Sequence, residues 1–433
     1  MASETTATAN GVAPDLVREP ATGGLHRRLS WTGAFWIASG VPALVLFSIG
    51  QIGATVGNLS WLVWIVSILL GFIQSFTYAE IAGLFPNKSG GASIYGAVAW
   101  VRYGKLFAPL SVWCNWLAWT PVLSIGSGLA AGYVLSILFP ATAAINNWQL
   151  TLLDLGWLRT GLTLRLNATF FLRAMLLLIA FAIQHRGISG AARVQMILGI
   201  VALAPLLLLG LLPLLTGAVS RAHLLPLLPL DRAADGSVRL GHWDMRGITL
   251  LAGGLFIAAW STYGFETAVC YTREFRDPRR DTFRAILFSG LLCVFVFTVL
   301  PLTFQGVLGL GHMVTPATLD AHGNVATQAV YDGILSPDIA SGMGVAHALA
   351  GMINGGPTIQ TVIVVMLVLA LTLSIITSMA GSSRTLYQAS HDGWLPRYLS
   401  QANERGAPTR AMMTDLVFNL VLLMLSDLSL IHI

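Results

Sequence analysis

The sequence predicts an all-α polytopic membrane protein built from two related halves, with one discontinuous span in each half. Three observations carry this. The chain is 55% hydrophobic and 10% charged over 433 residues, whereas a soluble domain carries about 25% charged residues. Its apolar residues gather into nine runs long enough to cross a bilayer. Two of these, Trp31 to Ala54 and Leu250 to Tyr271, hold helix-breaking residues at their centres: Ser39-Gly40-Val41-Pro42 in the first and Ser261-Thr262-Tyr263-Gly264 in the second. Lipid offers no partners for backbone groups that leave a helix, so a mid-depth break must face a cavity or packed protein.

Composition removes several function classes. Mean hydropathy is +0.73. The net charge of +5 comes from basic residues in short loops between apolar runs, where they set topology, and no basic face with interleaved aromatics exists for nucleic acid. Cys114, Cys270 and Cys293 lie inside apolar runs without zinc or disulfide spacing, as packing residues do. There is no GxxxxGK(S/T), HExxH or GxSxG pattern, which argues against an ATP-driven pump and against common hydrolases. Residues 1–28 are small and polar, which predicts a disordered cytosolic tail and not a signal peptide.

The nine spans fall at about 31–56, 60–84, 106–139, 166–184, 195–217, 248–271, 283–308, 357–383 and 408–426. With the N-terminus inside, seventeen of the 24 Lys and Arg residues lie on the cytosolic side, six lie outside, and Arg173 is within the fourth span. That bias sets the orientation of an integral membrane protein with a cytosolic N-terminus. The breaks fall in spans one and six, which implies five helices per half, the second half inverted because five is odd. The first repeat is then 29–217, followed by an extracellular loop 218–247 and a second repeat over 248–426. After Ser426 only Asp427 to Ile433 remain, too short to span, so the second repeat is expected to be C-terminally truncated at about nine helices.

Five local patterns resemble one family. The second span ends in Thr77-Tyr78-Ala79-Glu80-Ile81-Ala82, followed by Phe85-Pro86-Asn87-Lys88-Ser89-Gly90-Gly91. The first break is Ser39-Gly40-Val41-Pro42, and the sixth span reads Trp260-Ser261-Thr262-Tyr263-Gly264-Phe265-Glu266-Thr267. Then come Glu274-Phe275-Arg276-Asp277-Pro278-Arg279-Arg280 and, at the end of the eighth helix, Ser383-Arg384-Thr385-Leu386-Tyr387, followed by His391-Asp392-Gly393-Trp394-Leu395-Pro396. In this order over about 400 residues they resemble the amino acid–polyamine–organocation superfamily of permeases. The Ser-Gly-Val-Pro break, where much of the family has Gly-Ser-Gly, is similar to the GABA, choline and amino acid permease branch. The family usually has twelve helices, three more than are found here. The resemblance implies a LeuT-type five-helix inverted-repeat fold with discontinuous helices 1 and 6.

The breaks suggest a chemistry. Amides around Ser39, Gly40, Val41 and Ala43, with the positive end of the second half-helix, suit a substrate carboxylate; Pro42 has no N–H and fixes the turn. The bland alternative is a simple proline kink. In the sixth span, Ser261, Thr262 and the carbonyls near Tyr263 can accept from a substrate ammonium, and Gly264 allows backbone angles closed to other residues. The resemblance implies that Trp260 is an aromatic lid; the alternative is an ordinary core tryptophan. Glu266, a carboxyl within the bilayer, is either a helix-capping acid or a proton carrier or gate. Thr377 and Ser378 are adjacent hydroxyls that, in this fold class, can ligate sodium, or else bond the preceding turn. The proton-coupled branch often places a Lys in helix 5, and Gln195 to Gly217 contains none, so coupling to H+, to Na+ or to exchange stays open. Asn115 is read as a cavity-lining polar group of the third span. Glu80 is read as pairing with an inner-loop Arg, and Arg173 as snorkelling outward. Asp415 has no assigned role. The small residues from Gly126 to Gly132 are a helix-packing surface.

These features predict a secondary transporter of an amino acid or related amine, working by alternating access around a central site. GABA, a neutral amino acid, a cationic one and a polyamine all fit. No organic cofactor is expected. The second reading is a nutrient sensor of the same fold; the third, a membrane enzyme, lacks a cluster of catalytic residues.

Overall fold

The computed structural model describes residues 24–40, 45–140, 142–233, 237–262, 264–319, 325–327 and 329–425; at 45, 46, 260–262, 265, 266 and 319 it describes backbone alone. The helices are, in order, α1 (Trp31–Ala38), α2 (Val45–Val56), α3 (Ser60–Leu84), α4 (Ala92–Trp100), α5 (Phe107–Leu138), α6 (Ala144–Asn147), α7 (Ala168–His185) and α8 (Ile188–Leu215). They continue as α9 (Met245–Thr262), α10 (Pro278–Leu308), α11 (Pro337–Ala340), α12 (Val345–Met352), α13 (Pro357–His391) and α14 (Thr409–Met424). A 3-10 segment, Phe265–Glu274, follows α9. Every predicted span coincides with helix. Among the described residues six helical segments are long and apolar enough to cross a membrane by themselves. The other three predicted spans are the two interrupted ones and the 16-residue α14.

Local signals set the helix ends. The Ser30 hydroxyl caps α1 by accepting from the Gly33 N–H at 3.3 Å. Asn167 caps α7 through the Phe170 N–H at 2.8 Å. Asp277 caps α10 with Pro278 in the first turn, which gives the Asp-Pro dipeptide a structural role. α4 is preceded by Gly90 and Gly91 at φ 87° and 71°, where a side chain is strained. There is no space for one either: a Cβ on Gly90 would lie 2.9 Å from Thr385 Cα.

Packing brings the two halves together in matching pairs. α3 lies along α10, and α5 along α13. α1 rests on α8 and α10, and α2 rests on α9, which itself packs on α3. The segment 265–274 packs on α10, α1 and α13, while α14 fills against α5, α7 and α13. Trp64 of α3 stacks on Phe297 of α10 at 5.7 Å within the largest apolar cluster.

Several expectations change. The connecting loops are not wholly irregular: four two-stranded antiparallel pairs occur among the described residues. They are β1 (Gln149–Asp154) with β2 (Thr163–Asn167), β3 (Leu230–Arg232) with β4 (Val238–Leu240), β5 (Met313–Thr315) with β8 (Val330–Tyr331), and β6 (Thr318–Leu319) with β7 (Val325–Thr327). Gln149 pairs with Asn167 at the open end of the first ladder. Such short strands leave no hydropathy signal beside spans of twenty residues. Predicted tail residues 24–28 are docked, because Leu25 is buried in a cluster with Tyr387 and Leu399. Leu29 forms a parallel bridge to Phe275, its N–H bonding the Glu274 carbonyl at 2.9 Å. Residues 1–23, and the predicted tail 427–433, lie outside the described residues. Arg384, taken as a loop cation, is buried inside α13.

Candidate functional site

α13 is the scaffold on which both interrupted helices rest. Its middle turns are buried all round, from Ala370 to Ser390, and present a row of hydroxyls. At the first break, Ser39 is buried and its N–H bonds back to the Phe35 carbonyl at 2.9 Å, ending α1. The next carbonyl, that of Gly40, accepts from Ser374 Oγ of α13. The Ile37 carbonyl takes the Thr377 hydroxyl at 2.7 Å, and Thr377 Oγ1 accepts in turn from Gln195 Nε2 of α8 at 3.0 Å. Three helices thus meet where the α1 ladder stops. Gly40 permits this closeness: a Cβ there would collide with Thr377 Oγ1 and lie 3.0 Å from the Leu373 carbonyl. Val41, Pro42 and Ala43 lie outside the described residues.

The Thr377 hydroxyl therefore does more than bond its own helix, which was one sequence reading. It donates to the Ile37 carbonyl of α1 at 2.7 Å and lies 3.1 Å from the Leu373 carbonyl of its own preceding turn, while a lone pair goes to Gln195. Ser378 is buried beside it, and its carbonyl accepts from Ser382 Oγ at 2.8 Å. Gln195 is the residue that sequence reasoning missed: noted as the start of a helix without lysine, it nevertheless directs an amide donor at this junction. Its Oε1 is buried without a hydrogen-bond partner among the described residues.

At the second break α9 stops at Thr262 and winding resumes as 3-10 helix from Phe265. Gly264 is buried, and its carbonyl accepts from the Thr267 N–H at 3.0 Å. Tyr263 and the side chains of Trp260, Ser261, Thr262 and Glu266 lie outside the described residues. The acid that the structure describes as buried at the end of the 265–274 segment is Glu274. Arg384 of α13 grips its carboxylate with Nε and, at 3.1 Å, with Nη2, while Nη1 reaches the Ala380 carbonyl at 3.0 Å. Both side chains are 1% exposed, and the guanidinium lies 5.2 Å from the Tyr271 ring centre. Sequence motifs contained both residues but placed them in loops.

Asn115 is not part of this junction. It lies 3.4 Å from Thr385 Oγ1, eight residues beyond Thr377 and so about 12 Å further along α13. A polar residue in an apolar run signalled a polar contact but could not give its level along the helix. Glu80 is exposed and forms no ion pair among the described residues; Arg279 reaches past it to the Gly83 carbonyl at 3.3 Å. Arg173 lies across α5, with Nη2 3.1 Å from where a Gly128 Cβ would stand. Asp415 of α14 is fully buried, with Trp116, Thr120 and Ser382 as donors. Near the start of α4, Lys88 pairs with Asp392 at 2.8 Å. Burial opposes ionisation there, yet hydrogen bonds from His391, Lys88 and Gln388 and the Lys88 charge hold the Asp392 carboxyl below its ordinary range. No group of three metal-ligating side chains occurs among the described residues.

The amino acid permease family profile matches residues 29–431. The branched-chain amino acid permease BcaP of Lactococcus lactis is 22% identical over 400 residues, covering 89% of this chain and 74% of the relative. The L-methionine/branched-chain amino acid exporter YjeH of Escherichia coli is 25% identical over 300 residues, 68% of this chain and 58% of the relative. A solved substrate-bound, outward-open Na+-coupled sialic acid symporter superposes with a TM-score of 0.48 at 13% identity, covering 93% of this chain and 74% of that one. The narrower resemblance to the GABA and choline branch is not supported, since both curated relatives carry branched-chain amino acids; a four-residue break is too short to define a branch. The chain belongs to the amino acid permease family, and is an integral membrane protein that moves amino acids by secondary transport.

Proposed function

We propose that this permease carries a branched-chain amino acid or methionine by alternating access, binding it between the two interruptions. The names of both curated relatives support that substrate class. The single observation that carries the location is the Gly40 carbonyl bonded to Ser374 of another helix, because it marks where the α1 ladder ends and α13 takes over. In this reading the substrate carboxylate lies on the amides of Gly40, Val41 and Ala43 beside Ser39 and Pro42. Its ammonium lies near Ser261, Thr262, Tyr263 and Gly264, and Trp260 closes the outer side. Glu266 is the gate or proton carrier of the second half-helix.

The paired contacts support a LeuT-type inverted repeat. The contacts exchange between the halves: α3 packs on α9 as α10 packs on α1, and α5 on α14 as α13 on α7. The charge bias supports a cytosolic N-terminus. Coupling is to a proton gradient, a sodium gradient or exchange. A sodium ion at Thr377 and Ser378 would compete with the bonds Thr377 makes to Ile37 and Gln195.

Purified protein in proteoliposomes tests the proposal with labelled L-leucine, L-methionine and GABA, with and without imposed pH and sodium gradients. Saturable leucine or methionine flux, absent for GABA, is expected, and Gly40→Leu should abolish it in protein that still elutes as a folded species. GABA flux without leucine or methionine flux, or normal flux in the folded Gly40→Leu protein, would overturn the assignment.

A further inference from the structure

We propose that Asp415 is a reversible proton-binding site whose occupancy is passed to the first interruption through Ser382. Asp415 lies on α14, six residues from its start, and is fully buried. Oδ1 accepts from Trp116 Nε1 at 2.8 Å and from Thr120 Oγ1 at 2.9 Å, both on α5. Oδ2 accepts from Ser382 Oγ on α13. The three donors are neutral.

No countercharge accompanies them among the described residues. On α13 the ionisable side chains are Arg384, committed to Glu274, with Tyr387 and His391 beyond it. α7 carries Arg173 and His185, β2 carries Arg165, and the 3-10 turn Arg397–Ser400 carries Arg397 and Tyr398. α5 carries Cys114 and Tyr133, and α14 itself Arg410. None forms an ion pair with Asp415. A buried carboxylate with hydrogen bonds but no cation is balanced between two costs: burial penalises the anion, and three donors reward it.

The geometry says where the proton goes. Trp116 can only donate, so Oδ1 remains an acceptor in both states. Oδ2 faces a hydroxyl with a second acceptor in reach, since Ser382 Oγ is also 2.8 Å from the Ser378 carbonyl. With Asp415 ionised, Ser382 donates to Oδ2. When a proton arrives from water, an O–H bond forms at Oδ2 and donates to Ser382 Oγ, and the Ser382 hydrogen turns to the Ser378 carbonyl. Ser378 adjoins Thr377, whose hydroxyl holds the Ile37 carbonyl of α1. About 7–8 Å of α13 therefore separates the proton from the break.

The direct test is pH-difference infrared spectroscopy on the full chain in liposomes. A protonated-carboxyl band that titrates in the wild type and is lost in Asp415→Asn is expected. Ser382→Ala should move its titration to higher pH, because the anion loses a donor. No band that depends on Asp415 would overturn the site, and a band unmoved by Ser382→Ala would overturn the route. The transport consequence rests on the permease reading: Asp415→Asn should lose pH-gradient-driven uptake of labelled L-leucine while leucine exchange persists. Gradient-driven uptake retained in Asp415→Asn would overturn the coupling role. Absence of leucine flux in the wild type would count against the permease reading instead, leaving the infrared band to decide Asp415.

Discussion

The two interrupted helices are fastened to α13 by opposite chemistry. α1 is held at its end by neutral contacts, Thr377 on the Ile37 carbonyl and Ser374 on the Gly40 carbonyl. The segment 265–274 is held by the fully buried Arg384–Glu274 ion pair. A hydroxyl–carbonyl bond is exchanged for one with water or substrate at little net cost. A buried ion pair is different: neither charge can be abandoned without a large penalty, although the pair as a whole adds little over an apolar replacement. The first fastening suits contacts that are remade in each cycle, and the second suits a latch that is either fully formed or fully hydrated.

The largest effect should come from splitting the latch. Arg384→Ala leaves the Glu274 carboxylate buried alone and should cost about 3–5 kcal/mol, read as a lowered thermal midpoint in detergent, whereas replacing both residues by Leu and Met should restore most of it. Equal losses in the single and double variants would remove the distinction drawn here. Next comes Gly40→Ala, whose methyl meets Thr377 and the Leu373 carbonyl. About 1–3 kcal/mol is expected, partly relieved by adding Thr377→Ala. Thr377→Val keeps the shape but not the bond and should cost about 1 kcal/mol; a loss as large as that of Arg384→Ala would mean that the two fastenings are alike. The smallest effect is at Lys88–Asp392, a partly exposed pair worth about 0.2–1 kcal/mol. Because the Asp392 carboxyl is held below its ordinary value, its contribution is complete above the usual carboxylate range. It fades as pH falls through the depressed value. Asp392→Asn should remove that acid-side slope from the thermal midpoint.

Much of the fold was legible in the sequence because lipid demands long apolar runs, and the runs predicted to begin at Ser60 and Leu106 fall within a residue of the observed helix starts. The first break was legible because a glycine and a proline, Gly40 and Pro42, stand two residues apart within one apolar run. The latch was not. Hydropathy falls near Ser383, so Arg384 was assigned to a loop, although α13 continues to His391 and its residues stay buried through Ser390. A helix shielded by protein can stay buried past the point where its sequence stops looking apolar. Glu274 was missed for the same reason, and Gln195 because a search for charge overlooks an amide. Asn115 shows the converse limit, since a polar residue announces a partner but not its level along the helix.

The bridge between Leu29 and Phe275 has a mechanical consequence. Two backbone hydrogen bonds, Leu29 N–H to the Glu274 carbonyl at 2.9 Å and Arg276 N–H to the Leu29 carbonyl at 3.0 Å, stitch the chain entering α1 to the end of the 265–274 segment. Those two termini are tied like the handles of a pair of shears bound together. Any passage that opens at that end of the molecule has to part the bound pair from α13, or unpick the stitches first.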